Sequence, residues 1–475
     1  GAKSIQAFVP LKPQHSEVLI ISYEFFRKHC GLLAKSKKVG LLVVDEGHRL
    51  KSAAGTKTFA ALDALGTCAR LLISGTPIQN NLAEFYNIVE FVNPGILGTQ
   101  ASFRRLFERP IAAANQKGAS TFDRTHAEER AKILDDVTSK FMLRRLQKDV
   151  LSKLLPPRHE CLLFCKPSSK QCLMYKEMTS EYSTSMNGQT ALTLLTELRR
   201  LCSHPDLLRK TSSEGLVLNP RSSINFSLSG KMAVLESMLL TIRSSSEDKV
   251  VIVSNFTSTL DILEHLVISH GWPFLRLDGN TSPSDRQGLV DKFNKGSIEK
   301  SFVFLLSSKA GGCGLNLIGA SRLFMFDPDY NPASDAQAMS RIYRQGQKKS
   351  CYIYRMFTSG TVEEVILQKQ IQKGGLANTV ENVSSKRSAF TDDELRDCFS
   401  LNENCKCDTM HKITQWDDYE GIKTLKKHGC SDFPLLQVAD KRKDELVFVH
   451  FTTESSFTPL ESDSDDDIDD KGSWG

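Results

Sequence analysis

No apolar run in this 475-residue chain approaches the ~20 residues that a membrane-spanning helix requires. No secretory signal is read at its start, and a first residue of Gly rather than Met leads us to expect a fragment boundary or a processing scar there. The twelve cysteines follow no regular spacing, and Cys30, Cys68, Cys202 and Cys313 sit inside apolar or motif segments. That pattern speaks for reduced thiols in a cytosolic or nuclear protein and against a disulfide framework. Also missing is any G-x-x-x-x-G-K-S/T: Gly230-Lys231 is followed by Met232, and Asn225 stands five residues before Gly230. No internal repeat is visible at the level of sequence.

What is present is ordinary for a globular chain, with 40% apolar and 25% charged residues and room for about three domains of ~150 residues. The net charge of +5 is unevenly spread. Residues 461–470 (ESDSDDDIDD) carry seven acids and no base, which leaves about +12 on the rest. A mildly basic body suits a polyanion, and a solvated surface accounts for the charge about as well. The acidic end reads as a disordered tail, and phosphorylation at Ser462 or Ser464 would only deepen its charge.

Short apolar segments at 18–22 (VLIIS), 39–44 (VGLLVV) and 70–74 (RLLIS) read as strands with helical stretches between them, an α/β pattern. Helical periodicity follows over 83–108 and 126–150, broken by Pro94-Gly95 and a polar loop near 112–121. Residues 159–165 look like an isolated strand, 166–210 are helical, and 211–228 form a polar linker. A second α/β block has strands at 249–254, 274–277, 301–307, 322–327 and 351–357, alternating with helices as a parallel sheet requires. After about 375 the pattern weakens.

The most informative segment is Asp45-Glu46-Gly47-His48, at the end of the 39–44 run. A buried parallel strand that stops on two adjacent carboxylates offers acid to a nucleotide-bound Mg²⁺ and to an attacking water. The second strand, 70–74, runs into Gly75-Thr76-Pro77, and the pair is far more specific than either alone. Further on, the glycine-rich turn 307–317 (SSKAGGCGLNL) follows a strand. In 335–347 (DAQAMSRIYRQGQ), Arg341 and Arg344 are three apart and would share one helical face. Two guanidinium groups there suit phosphate oxygens, and an exposed basic helix is the plainer account of that segment taken alone.

In order and spacing, VLIISYE (18–24), DEGH (45–48), SGTPIQNN (74–81), LRRLCSHP (198–205), SNFTSTLDIL (254–263), LRLDGNT (275–281), SSKAGGCGLNL (307–317) and QAMSRIYRQGQ (337–347) resemble the Swi/Snf-type DNA translocases of helicase superfamily two. Within them DEGHRLK (45–51), FVNPGILG (91–98), AGGCGLNLIGASRL (310–323) and GQKKSCYIYR (346–355) are most similar to the Rad-fifty-four branch, the homologous-recombination translocases. The resemblance covers about 15–375 and returns briefly at 394–402. It implies two RecA-like α/β lobes with parallel sheets and helical insertions, the first lobe incomplete. The expected division is 1–84 (end of lobe one), 85–158 (first insertion), 159–228 (second insertion and linker), 229–375 (lobe two) and 376–475 (C-terminal extension).

The resemblance also implies roles. Asp45 would hold Mg²⁺ through water, and Glu46 would polarise the attacking water. His48, Gly311, Gly312, Gly314, Gln337 and Gln347 would serve the nucleotide and the interlobe turn, with Arg341 and Arg344 as arginine fingers. Ser74 and Thr76 would couple nucleotide to DNA, with Asn80, Thr257, Ser307 and Lys309 near its backbone. ATP, Mg²⁺, double-stranded DNA, a RecA-type recombinase and chromatin are the implied cofactors and partners, and the nucleus is the implied compartment. The family's phosphate-binding loop is not in the chain, so the 475 residues alone should bind ATP poorly and lobe one should be unstable. Near the C-terminus Cys405, Cys407 and Cys430 invite a zinc site, although their spacing is not that of paired CxxC knuckles. Two other functions stay open: a nucleosome-remodelling ATPase of the same family, and a non-enzymatic DNA-binding scaffold.

Overall fold

The computed structural model describes residues 5, 8, 18–34, 39–50, 57–65, 69–74, 82–114, 120–143, 145, 155–183, 188–208, 224–310, 314–379, 399–403, 406–409 and 421–454. Two compact units make up the chain, Gly1–Leu143 with Lys373–Phe390 and Arg144–Gln372 with Thr391–Gly475.

In the first unit, helix α1 (Tyr23–Ala34) precedes β1 (Leu41–Val44), and α2 (Lys57–Asp63) carries the chain to β2 (Ala69–Leu72). The strands are parallel, with Leu41 opposite Ala69 and Val44 opposite Leu72. Their inward side chains join Phe26, Leu33, Leu50, Leu62 and Phe91 in one core. Their other face is open: Leu41, Val43, Leu71 and Ile73 are about half exposed. Residues 18–22, expected to be a strand, pair with neither, and Val18 and Ile20 are 86% and 92% exposed. An extended apolar segment becomes a strand only where a ladder partner satisfies its backbone.

Helix α3 (Leu82–Val92) ends at the Pro94-Gly95 turn, where Gly95 takes φ +80°. Beyond the break expected at Pro94-Gly95, the helical stretch to 108 is made of α4 (Gln100–Phe103) and a π turn (Arg104–Glu108), and α5 (Arg109–Ala113) extends it. Helix α6 (Thr121–Thr138) starts five residues before the expected 126 because Ser120 and Asp123 form a reciprocal capping box. It ends at Thr138 rather than 150, and 146–150 lie outside the described residues.

The second unit is a seven-stranded sheet in the order β5-β6-β4-β7-β8-β3-β9. The strands are β3 (Arg158–Cys165), β4 (Val250–Ser254), β5 (Phe274–Leu277), β6 (Val303–Ser307), β7 (Arg322–Met325), β8 (Cys351–Thr358) and β9 (Leu446–Glu454). All neighbours are parallel except β9 on β3. Strands β4, β6 and β7 are buried along their whole length, as expected of parallel strands covered on both faces. Helices α7 (Ser169–Ser183), α8 (Gly188–Ser203), α9 (Gly230–Ser245), α10 (Thr257–Ser269), α11 (Pro283–Lys295), α12 (Pro332–Met339), α13 (Val362–Thr379), α14 (Ile422–Lys427) and α15 (Phe433–Lys441) surround it.

Strand β3, read from the sequence as isolated, lies inside this sheet between β8 and β9. Strand β9 comes from the C-terminal stretch in which no strand was expected. At the start of α9, Gly230 packs so closely on the backbone of Lys166 that a Cβ would lie 1.9 Å from its carbonyl oxygen. The next residue, Lys231, is fully buried. It donates to Glu363 Oε1 at 2.6 Å and to the Phe326 carbonyl at 2.9 Å, pinning α9 to β7 and α13.

Candidate functional site

In the first unit the site begins where β1 ends. Ile73 N–H donates to the Val44 carbonyl and Gly47 N–H to the Ile73 carbonyl, so the chain after β1 folds back onto the end of β2. Tyr23 Oη donates to the Asp45 carbonyl at 2.7 Å, and Asp45 Oδ1 accepts the Glu46 N–H at 2.8 Å. The Asp45 carboxylate is exposed, and Glu46 sits half-buried at φ +51°. Few residues other than glycine hold a left-handed backbone, and such positions are concentrated at functional sites. Gly47 is buried against Leu72, where a Cβ would come within 2.3 Å of Leu72 Cγ and Cδ2. His48 belongs to the short 3₁₀ turn Gly47–Leu50, but its side chain lies outside the described residues. Ser74, half-buried, follows β2 at the same end of the sheet; Thr76 and Asn80 lie outside the described residues. One exposed carboxylate backed by a second is a donor set that suits Mg²⁺, which binds through one or two carboxylates with the remaining positions left to phosphate and water.

In the second unit the expected DNA-side residues gather at the carboxyl ends of β4, β6 and β7. Strand β4 is the point from which the connections run to opposite sides, the kind of crevice where open parallel sheets bind ligands. Ser254 Oγ donates to Asp327 Oδ2, Asn255 N–H donates to Asp327 Oδ1 at 2.8 Å, and Asn255 Nδ2 donates to the Asp327 carbonyl at 3.1 Å. Ser308 Oγ donates to Asn255 Oδ1 at 2.6 Å. This polar network fixes the strand ends. Thr257 at the start of α10 and Lys309 beyond β6 are exposed beside it, while Ser307 is buried in the ladder opposite Ser254. Arg199 of α8 donates to the Pro328 carbonyl and lies over the rings of Phe256 (4.9 Å) and Tyr330 (4.8 Å). The segment 198–205 thus reaches the same strand ends, a placement its spacing alone does not reveal.

The segment 335–347 differs from expectation. Helix α12 stops at Met339, so Arg341 and Arg344 do not share a helical face. Arg341 is buried, 2% exposed, with its carbonyl accepting the Leu317 N–H. Arg344 is half-buried and donates to the Gly314 carbonyl at 3.2 Å; Gly314 holds φ +59°. What replaces the helix is a loop held by Gln347. Its Nε2 reaches the carbonyls of Ala320 (2.8 Å), Ile342 (3.0 Å) and Ile318 (3.3 Å), and its Oε1 accepts the N–H groups of Lys348 and Lys349. Gln347 therefore organises the loop from beneath. Gln337 is half-buried on α12; Gly311 and Gly312 lie outside the described residues.

Asp335, on α12, escaped the sequence reading. It accepts from Gln370 Nε2 at 2.9 Å and Asp329 N–H at 3.1 Å, and pairs with Arg355 at 3.4 Å. Burial pushes its carboxyl up to about 6, against the pull of Arg355 and Gln370.

The described candidate cysteines, Cys407 and Cys430, do not assemble a metal site. Cys407 packs with Leu162 and Phe164, and Cys430 shares a core with Cys161 and Leu163. Alternate residues of a strand face opposite ways, so the two thiols lie on opposite faces of the sheet. Cys407 Sγ donates to Glu364 Oε1, and burial pushes the Cys430 thiol up to about 11. Cys405 lies outside the described residues, among which no group of three His, Cys, Asp or Glu is placed to hold a metal.

Residues 6–207 match the model of the SNF2-related domain, and residues 230–346 match that of the helicase conserved C-terminal domain. The chain is 45% identical over 416 residues to the DNA repair and recombination protein RAD54-like of Gallus gallus, covering 84% of this chain and 56% of that protein. It is 42% identical over 410 residues to the DNA repair protein rhp54 of Schizosaccharomyces pombe, covering 82% and 48%. The solved Sulfolobus solfataricus SWI2/SNF2 ATPase core in complex with dsDNA aligns with a TM-score of 0.41 at 26% identity, over 78% of this chain and 76% of that one. The chain spans about half the length of the curated relatives it matches. On these matches the chain belongs to the SNF2-related family of the helicase superfamily, in its RAD54-like branch.

Proposed function

We propose that the chain is the motor part of a nuclear protein that hydrolyses ATP to move along double-stranded DNA in homologous recombination and repair. The observation that carries this reading is the end of β1, with an exposed Asp45 and a backbone-strained Glu46 fixed at the mouth of a parallel sheet. The names of the curated relatives, DNA repair and recombination proteins, give the process. A RecA-type recombinase and chromatin are the partners that process brings.

In this reading Asp45 holds Mg²⁺ through water, and the ion, when bound, neutralises charge on the phosphate oxygens. Glu46 takes a proton from the water that attacks the terminal phosphate, with Tyr23 and Gly47 fixing the turn that carries it. Arg344 supplies a guanidinium to the phosphates, while Arg341, being buried, supports the loop. Thr257 and Lys309 contact the DNA backbone from the ends of the second unit's strands; in the first unit Ser74 and Thr76 take the role of coupling the nucleotide to DNA, and Asn80 adds a backbone contact. Contacts to phosphates make binding steeply salt-dependent and largely blind to sequence.

The test is a hybrid in which this chain replaces the matching part of the Gallus gallus relative, which it resembles over 416 residues. Duplex DNA should stimulate phosphate release from it, and Glu46→Gln should abolish release while ATP is still bound. A hybrid that binds ATP and DNA but hydrolyses equally well with Gln at 46 would overturn the assignment.

A further inference from the structure

A concave pocket of about 730 Å³ opens in the first unit, away from the end of β1 in sequence and built on α4, the π turn and α5. Its polar lining is Gln100, Ser102, Arg104, Arg105, Glu108 and Arg109. The π turn is what makes it basic. In an α-helix, residues five apart point about 140° away from each other. Here Arg109 N–H donates to the Arg104 carbonyl, the i→i+5 bond of a π turn, whose wider winding swings Arg109 toward the side of Arg104. Arg105, four before Arg109, shares its side of the helix.

The turn is anchored from the other side by Phe103 and Ile111, which are 1% and 0% exposed in the core shared by α3 and α6. The arginines therefore stand on a packed base. Glu108 offsets only part of their charge, with its Oε2 3.9 Å from Arg104 Nε. Arg105 and Arg109 are exposed and make no ion pair among the described residues.

We infer that this pocket binds the phosphate backbone of duplex nucleic acid. Guanidinium forks match phosphate oxygens, and Gln100 and Ser102 add neutral donors. Among the described residues the lining includes no aromatic or large apolar side chain for a base to stack on or for a peptide side chain to bury against. That composition favours a sugar–phosphate backbone over an acidic peptide, and it predicts binding without sequence preference. The inference rests on reading the chain as a duplex-DNA-binding protein.

The experiment is anisotropy titration of the 475-residue chain with labelled duplexes of two unrelated sequences over a range of salt. The triple variant Arg104→Ala, Arg105→Ala, Arg109→Ala should bind about tenfold or more weakly, with the slope of log K against log salt reduced by roughly 2–3 on both sequences. A control triple, Arg124→Ala, Lys132→Ala, Lys140→Ala, removes equal charge from the exposed surface of α6 and the turn after it and should change both far less. Thermal melting monitors folding. If the triple variant melts early, Arg105→Gln with Arg109→Gln reads the same slope from a milder change. An unchanged slope, equal losses in the control, or loss of poly-glutamate binding with DNA binding intact overturns the pocket assignment while leaving the motor reading standing. A wild-type chain that binds no duplex at low salt overturns both.

Discussion

Gly47 lies against Leu72 with no room for a methyl group, since a Cβ there would stand 2.3 Å from two atoms of the leucine side chain. The turn that carries Asp45 and Glu46 is thus seated directly on the end of β2. Gly47→Ala should cost roughly 1–3 kcal/mol, the usual range for overpacking. Leu72→Ala in the same chain should recover part of that loss by making space. Urea unfolding of the two single variants and the double gives the coupling. Strict additivity would mean that Leu72 does not form the seat.

Gln347 and Arg344 should separate stability from activity. Gln347→Ala leaves several buried carbonyls and N–H groups without their partner, at a cost of roughly 2–4 kcal/mol. Arg344→Ala removes one bond at an exposed carbonyl and should change stability by less than about 0.5 kcal/mol. In the hybrid with the Gallus gallus relative, Arg344→Ala should nevertheless lower ATP turnover steeply; guanidinium groups in related phosphoryl transfer contribute ~10³–10⁵. Parental turnover in a fully folded Arg344→Ala hybrid would leave Arg344 as a loop contact only.

Asp335 gives a pH signature. Its folded-state value is raised to about 6 by burial, above the ordinary aspartate value of 3.8. A group raised in this way favours the folded state fully below its unfolded value and loses that contribution as pH climbs through the folded one. Stability of the second unit should therefore fall between about pH 4 and pH 6 by up to roughly 2–3 kcal/mol relative to Asp335→Asn, which cannot ionise. Denaturant midpoints of the two proteins across that range provide the comparison. Parallel curves would mean that Arg355 and Gln370 stabilise the carboxylate enough to cancel burial.

Because no G-x-x-x-x-G-K-S/T occurs in its 475 residues, the chain by itself should release phosphate from ATP only at trace rates, with or without duplex DNA. Robust DNA-stimulated turnover by the purified chain would show that other residues grip the phosphates.

The continuous apolar runs of the second unit's sheet were legible in the sequence, because burial on both faces leaves little doubt about residues such as 250–254 or 303–307, and β1 and β2 were legible as apolar runs although one face of that pair is open. The motifs at their ends were legible from their residue types and their position directly after those runs. Strand β3 was recognised but not its place, since its partners lie some 190 and 290 residues away and no local pattern encodes that pairing. The helix expected across Arg341 and Arg344 failed because helical spacing does not register what Gln347 does: its side chain satisfies the Ile342 carbonyl, which a helix would otherwise have to satisfy, and ties the loop to the carbonyls of Ile318 and Ala320. The π turn was hidden in a stretch whose periodicity reads as plain helix, and only the i→i+5 bond reveals that Arg109 is swung toward the side of Arg104.

The position of β9 also sets a timetable for synthesis. Strand β3 is complete at Cys165, yet the strand that covers its outer edge begins at Leu446. At ~5–20 residues per second, a ribosome takes roughly 15–60 s to make the intervening chain. Throughout that interval the nascent protein carries a strand whose last five residues are destined for complete burial and whose hydrogen-bonding edge has nothing to meet. The second unit cannot close domain-first as it emerges; it must hold an open, adhesive edge until nearly its last described residues leave the exit tunnel.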